Sequence, residues 1–222
     1  MAATGAAAQQ RITPGVFFTP PTALPRGRHE LSREDVVTSQ RERMLIAATE
    51  ILAAEGFRGV GVREICAHAA VSRTVFYGCF ADKDACVYAA YDRFIAVLIG
   101  RMSELDLSGR DWSSQVSAVL ETYLATLQQD LVAARAFQVE MDGVGREARA
   151  RRRDALHGMA TFMRAKRVEV SLGAEDIPFS AYVGAIYAVR QICSDTIDSQ
   201  SSPDLLLLLP DLTTWVGRML GT

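Results

Sequence analysis

The sequence predicts an all-α fold, with an N-terminal three-helix unit followed by a larger helical half. Ala, Leu, Arg and Glu dominate the chain, all of them good helix formers, and long runs of Val, Ile and Thr are missing. Apolar residues recur at three- and four-residue spacing in one segment after another. Ser, Asp or Pro stands where the cap or first turn of several segments would fall. With 222 residues, 49% of them hydrophobic, the chain has length for one domain or two small ones around a real core.

Charge and cysteine usage narrow the function. A formal net charge of −2 provides no global field to recruit nucleic acid, so any DNA contact must come from a local patch. The opening "MAATGAAAQQRITPG" lacks the apolar core of a signal peptide. The Leu run at 205–209 is far short of the ~20 residues that cross a bilayer. A cytoplasmic protein with no membrane partner is expected. Cys66, Cys79, Cys86 and Cys193 show no CxxC pairing, and read as small buried hydrophobes rather than metal ligands or disulfides. No metal and no cofactor is expected.

Each element has its own signal. Residues 1–30, rich in Ala, Pro, Thr and Gly, read as a disordered arm, either an inert tail or a basic one carrying Arg11, Arg26 and Arg28 to a DNA groove. The first helix is expected from Ser39, whose hydroxyl and Glu42 form a capping box. Met44, Leu45, Ala48, Ile51 and Leu52 give it one buried stripe, and Gly56 stops it. A second helix covers 62–69, with no hydroxyl at Val60 or Gly61 to cap it, and a third covers 73–77. Asp82 caps a fourth through about residue 102, a rod of about 30 Å. That length can leave one domain and enter the next, so the boundary is placed between 31–84 and 85–222.

Further helices are expected at 111–129, 131–141 and from the basic "GREARARRRDAL" to 167. After a loop at 171–178, two apolar helices at 179–198 and 203–220 close the chain, with Pro178 at a first helical position. Pro210 either kinks the last helix or marks its true start.

The segment "AVSRTVFYGCFADK" at 70–83 carries the strongest functional signal. Two short helices joined by a tight turn make a helix-turn-helix. One face of the third helix must lock onto the first two through Val71, Val75 or Phe76, and Phe80. Ser72, Arg73 and Thr74 stand at its first turn, where side chains enter a major groove. Arg matches guanine bidentately, and Tyr77 and Lys83 can donate to phosphates on the flanks. A plain helical hairpin with a solvated face is the alternative.

Residues 39–91 closely resemble the N-terminal domain of the TetR/AcrR family of bacterial transcriptional regulators. The Ala47-Ala48 pair, "AEGF", "VREICAHAAVS" and "FYGCFADKDA" carry the likeness, above all the Tyr77-x-x-Phe80-x-x-Lys83 spacing. The resemblance implies phosphate contacts from Tyr77 and Lys83 and base contacts from Ser72, Arg73 and Thr74, with Gly61 and Gly78 in the same surface. Val60 and Gly61 replace the family's usual threonines, Ala70 its turn glycine, and Cys79 a common histidine.

The resemblance also implies that the larger half forms a homodimer and holds a small molecule. Candidate pocket residues are Trp112, Tyr123, Phe137 and Met141, with Met159, Phe162, Met163 and Tyr182. Such side chains line an apolar cavity or simply pack a core. Few charges fall on the inward faces, so a small hydrophobic effector is preferred. Ile186, Val189, Cys193 and Ile197 form one apolar face, and Leu208, Leu212, Trp215 and Met219 another. Each can be buried inside the monomer or against a twin.

The expected function is therefore a dimeric DNA-binding regulator, a repressor released from a palindromic double-stranded operator by that effector. A ligand-independent regulator and a ligand-binding protein without specific DNA affinity are the alternatives. An enzyme is not expected. "GVGREA" at 143–148 matches a dinucleotide pattern but lacks the strands that pattern needs, and His29, His68 and His157 stand without an evident acid or nucleophile. The basic run from Arg146 to Arg153 binds an acidic partner or is a solvated face.

Overall fold

The computed structural model describes residues 11–21, 32–170 and 177–221. Every regular element among them is helical. The N-terminal unit is α1 (Arg33–Gly59), α2 (Val62–Ala69) and α3 (Arg73–Cys79). The larger part contains α4 (Lys83–Ser103), α5 (Trp112–Gln129), α6 (Leu131–Ala134), α7 (Arg146–Val170), α8 (Phe179–Ser199) and α9 (Leu209–Met219). A π turn (Arg135–Val139) and a 3₁₀ turn (Glu140–Gly143) follow α6, and a 3₁₀ turn (Leu205–Leu208) leads into α9, with Pro210 at its start.

Helix α1 is capped by Ser32, seven residues before the expected Ser39. Ser32 accepts from the Asp35 N–H at 3.1 Å, while Asp35 accepts from the Ser32 N–H at 3.2 Å. This earlier box wins because residues 33–35 are exposed and need only a polar helix face. At Gly56 the φ of 66° breaks the helix, and the last turn leaves in a new direction. A Cβ there would lie 3.0 Å from Glu140 Oε2, so the glycine also permits the close approach of the 3₁₀ turn. Helices α4, α5 and α6 start on carboxylates: Asp82, Asp111 and Asp130 each accept a first-turn N–H at 2.8 to 3.0 Å.

The buried side chains of all these elements form one continuous core. Helix α1 packs on α2, α3 and α4, and also on α6 and the π turn. The larger part pairs α5 with α9 and α7 with α8.

The expectation of a disordered arm over 1–30 is corrected for residues 11–21. Ile12, Phe17 and Phe18 are buried, and the Phe17 ring lies 4.6 Å from that of Phe94 on α4. Backbone N–H groups of the arm find carboxylates: Ile12 donates to Glu50 at 3.0 Å, Thr19 to Glu42 at 3.1 Å, and Thr13 to Asp130. Arg11 reaches Glu50 at 2.8 Å instead of extending toward DNA. The arm therefore straps α1 to α4 and α6. Arg26, Arg28 and most of the expected 171–178 loop lie outside the described residues.

Two arginines of the basic run have partners, while Arg146, Arg149 and Arg153 are exposed. Arg151 pairs with Asp92 on α4 at 2.8 Å and with Glu147 at 3.3 Å, and Arg152 pairs with Asp142. These bonds bracket α7 against its neighbours.

Candidate DNA-reading surface and effector cavity

The turn between α2 and α3 is held in place from its own backbone. Ala70 takes a left-handed conformation (φ 52°, ψ 50°), and the Val71 N–H closes on the Cys66 carbonyl at 3.0 Å. This is the position where the sequence lacks glycine, and a Cβ in that conformation costs roughly 1–2 kcal/mol. Ala70→Gly is expected to stabilise the protein by about 1 kcal/mol, since greater freedom of the unfolded glycine offsets part of the relief. Urea unfolding checks this, and an unchanged or lowered midpoint would contradict it.

Phe76 is buried on the inner face of α3, with Val75 half-buried beside it and Phe80 buried just beyond. Ser72, Arg73, Thr74, Tyr77 and Gly78 are exposed on the outer side. Ser72 has a second task, because its Oγ accepts the Val75 N–H at 3.2 Å and caps α3. Its O–H remains able to donate. Tyr77 is 58% exposed, with its ring set edge-on to Phe76 at 5.5 Å. These side chains share one outward face.

Lys83 and Gly61 sit differently from the rest. The Lys83 ammonium donates to the Val60 carbonyl at 2.8 Å and the Phe57 carbonyl at 3.4 Å, and lies 4.1 Å from the centre of the Phe57 ring. It completes the C-terminal end of α1, where orphan carbonyls attract a cation. One N–H remains for a phosphate. Gly61 is the half-buried first boundary of α2, with the Glu64 carboxylate directly over it. The Arg63 guanidinium beside it, at 2.8 Å, holds the Glu64 carboxyl below the usual range. Arg63 and Arg58 are exposed cations of this unit that the sequence reading passed over.

In the larger part, Tyr123, Met159, Phe162 and Met163 line one cavity between α4, α5, α7 and α8. Met102, Val119, Leu120, Leu156, Ile186, Val189 and Arg190 complete its wall, none of them foreseen as pocket residues. Its free interior is about 40 Å³. The other four expected pocket residues are corrected to core positions. Phe137 packs at a tilt against Tyr91 and Phe94, Met141 is 1% exposed, Trp112 lies under the Arg167 guanidinium, and Tyr182 is fully buried. Burial pushes the Tyr123 phenol well above its ordinary range.

The expected interface residues divide in the same way. Val189, Cys193 and Leu212 are buried inside the monomer, so they are corrected to its core. Ile186, Leu208 and Trp215 are half-buried, and Met219 is 44% exposed, with its methyl 3.5 Å from where a side chain at Gly184 would begin. Leu206 and Leu207 are exposed beside them.

A helix-turn-helix with an outward polar face is thus set on a helical bundle with a small internal cavity. Residues 45–90 match the model of the bacterial regulatory proteins of the tetR family. Solved structures share its fold over most of their length. The fatty acid degradation regulator FadR from Bacillus halodurans is 12% identical, with a TM-score of 0.70 over 80% of this chain and 94% of that one. FadR from Bacillus subtilis, solved with stearoyl-CoA, is 17% identical, with a TM-score of 0.60 over 78% and 96%. A transcriptional regulator from Rhodococcus sp. Rha1 is 22% identical, with a TM-score of 0.65 over 81% and 95%. A comparison with curated proteins finds no match. Among the described residues no helix is long and apolar enough to cross a membrane, and no cluster of His, Cys, Asp or Glu could hold a metal.

Proposed function

We propose that the protein is a homodimeric repressor that reads a palindromic operator with α3 and is released by a small, largely apolar effector. The observation that carries this reading is the exposed row Ser72, Arg73, Thr74 and Tyr77 on a helix otherwise anchored in the core. Arg73 reads a base, and Tyr77 and the remaining N–H of Lys83 position the phosphate backbone. The half-exposed apolar surface of α8 and α9, with Leu206, Leu207 and Met219, supports pairing with a second copy.

Selection from a randomised duplex pool tests the reading directly. Arg73→Ala is expected to cost about 1–3 kcal/mol on the selected site and to relax its sequence preference. Tyr77→Phe is expected to weaken binding evenly across sequences. Enrichment of no sequence would refute the operator.

Release requires that the effector bind a state whose reading heads are wrongly spaced better than the DNA-ready state. Stearoyl-CoA in the Bacillus subtilis structure supports an apolar chain as the occupant. The cavity is walled by Met102, Met159, Phe162 and Met163, flexible or aromatic side chains that can move to admit one. Its small closed volume favours a second reading, a regulator that works without an effector. An operator complex that survives saturating apolar ligands would select the second.

A further inference from the structure

The first turn of α2 holds a carboxylate of its own. Gly61, the residue before the helix, offers no side chain to cap it, and Glu64 folds back into the space left free. A Cβ at Gly61 would lie 2.2 Å from Glu64 Oε2, so any other residue there would push the carboxylate aside. The backbone itself does not ask for glycine, since its φ of −139° is extended. The Arg63 guanidinium closes on the same group, with Nε and Nη2 each 2.8 Å from Oε1. That hydrogen bond, then Glu64's own backbone N–H and the more distant charge of Arg73, keep the carboxyl below its usual range.

This ion pair stands within the surface assigned to DNA. Glu64 covers the residue next to Val60, whose carbonyl holds the Lys83 ammonium at 2.8 Å. Arg73, at the start of α3, acts on it from the other side. The Arg63 side chain is 79% exposed, and Arg58 and Arg73 are exposed nearby with no ion pair among the described residues. A phosphate arriving there meets cations on both flanks and one like charge in the middle. The pair can exchange, because an exposed salt bridge gains little in water. A phosphate offers Arg63 the same forked acceptor as the carboxylate does.

We propose that Glu64 is an internal competitor for the phosphates of the operator, holding Arg63 in the free protein and yielding it to the DNA backbone on binding. Its effect is to lower affinity for every sequence alike, while base reading stays with α3. This rests on the operator reading above and adds to it a residue that restrains binding. Gly61 takes part by leaving room for the carboxylate.

The test is a salt titration of the full-length protein on its selected duplex and on a scrambled one. Wild type is compared with Glu64→Gln, Arg63→Ala and the double variant. Glu64→Gln keeps the shape of the side chain, and Arg63 is a surface position, so the fold is retained. Glu64→Gln is expected to tighten binding to both duplexes by roughly two- to fivefold and to leave the preference between them unchanged. Arg63→Ala is expected to weaken both and to lower the slope of log affinity against log salt by about one. In the double variant most of the gain from Glu64→Gln is expected to vanish. A carboxylate that only caps α2 predicts the opposite sign, since its loss would loosen the helix and weaken binding. Unchanged or weaker binding by Glu64→Gln, or a gain that persists without Arg63, overturns the competitor and leaves the operator reading standing. Wild-type protein that selects no duplex overturns the operator reading, and the competitor with it.

Discussion

Phe17→Ala is expected to destabilise the protein by about 3–5 kcal/mol, as large as the loss of a core aromatic inside a helix bundle. The ring is 2% exposed and lies 4.6 Å from the Phe94 ring, which in turn contacts Phe137 at 5.1 Å. Deleting it leaves a cavity in the stack that joins the arm, α4 and the π turn. The arm cannot collapse into that space, because its N–H groups are fixed on carboxylates from α1 and α6. Urea unfolding followed by tryptophan fluorescence measures the loss. A change below about 1 kcal/mol would mean that the arm rests on the protein without supporting it.

Glu50→Ala is expected to cost about 1–3 kcal/mol, the range for leaving a buried hydrogen-bond partner unsatisfied. The Glu50 side chain is 2% exposed. It accepts from Arg11 at 2.8 Å and from the Ile12 N–H at 3.0 Å, and lies 2.5 Å from Nε2 of His68 on α2. One carboxylate thus fastens the strap and the helix before the recognition turn. Alanine leaves a buried N–H and a largely buried imidazole facing an empty site. Glu50→Gln retains an acceptor for Ile12 and is expected to lose less than half as much. The two variants separate hydrogen bonding from charge, and equal losses would assign the effect to charge alone.

The contrast between these residues shows where sequence is informative. The helices of the reading unit repeat their apolar positions every three or four residues, and Ser72, Asp82 and Asp111 stand at the caps that the structure uses. The DNA-facing side chains follow from the anchored ones by helical geometry. The arm offers no period. Ile12, Phe17 and Phe18 are separated by Thr, Pro, Gly and Val, and their burial depends on carboxylates more than twenty residues away. Glu50 looks like one more surface charge until its partners arrive from the arm and from α2.

The cavity was only half legible for a related reason. Aromatic and Met side chains pack a core or line a pocket with the same periodicity, so Met159 and Met141 cannot be told apart before folding. Arg190 did leave a signal, a cation adjoining the inward positions Ile186, Val189 and Cys193. An arginine in such company must be paired, as Arg190 is with Asp142.

The π turn at Arg135–Val139 has a geometric consequence of its own. Winding one extra residue into a helix delays everything beyond it by about 100° of rotation, the angle each residue contributes. Glu140 therefore faces Gly56, and Met141 the core, only because of that phase offset. Unwinding the insertion to a plain α-helix would swing both side chains away by more than a quarter of a revolution. The segment is a gear tooth between α8 and α1, and it meshes in whole residues.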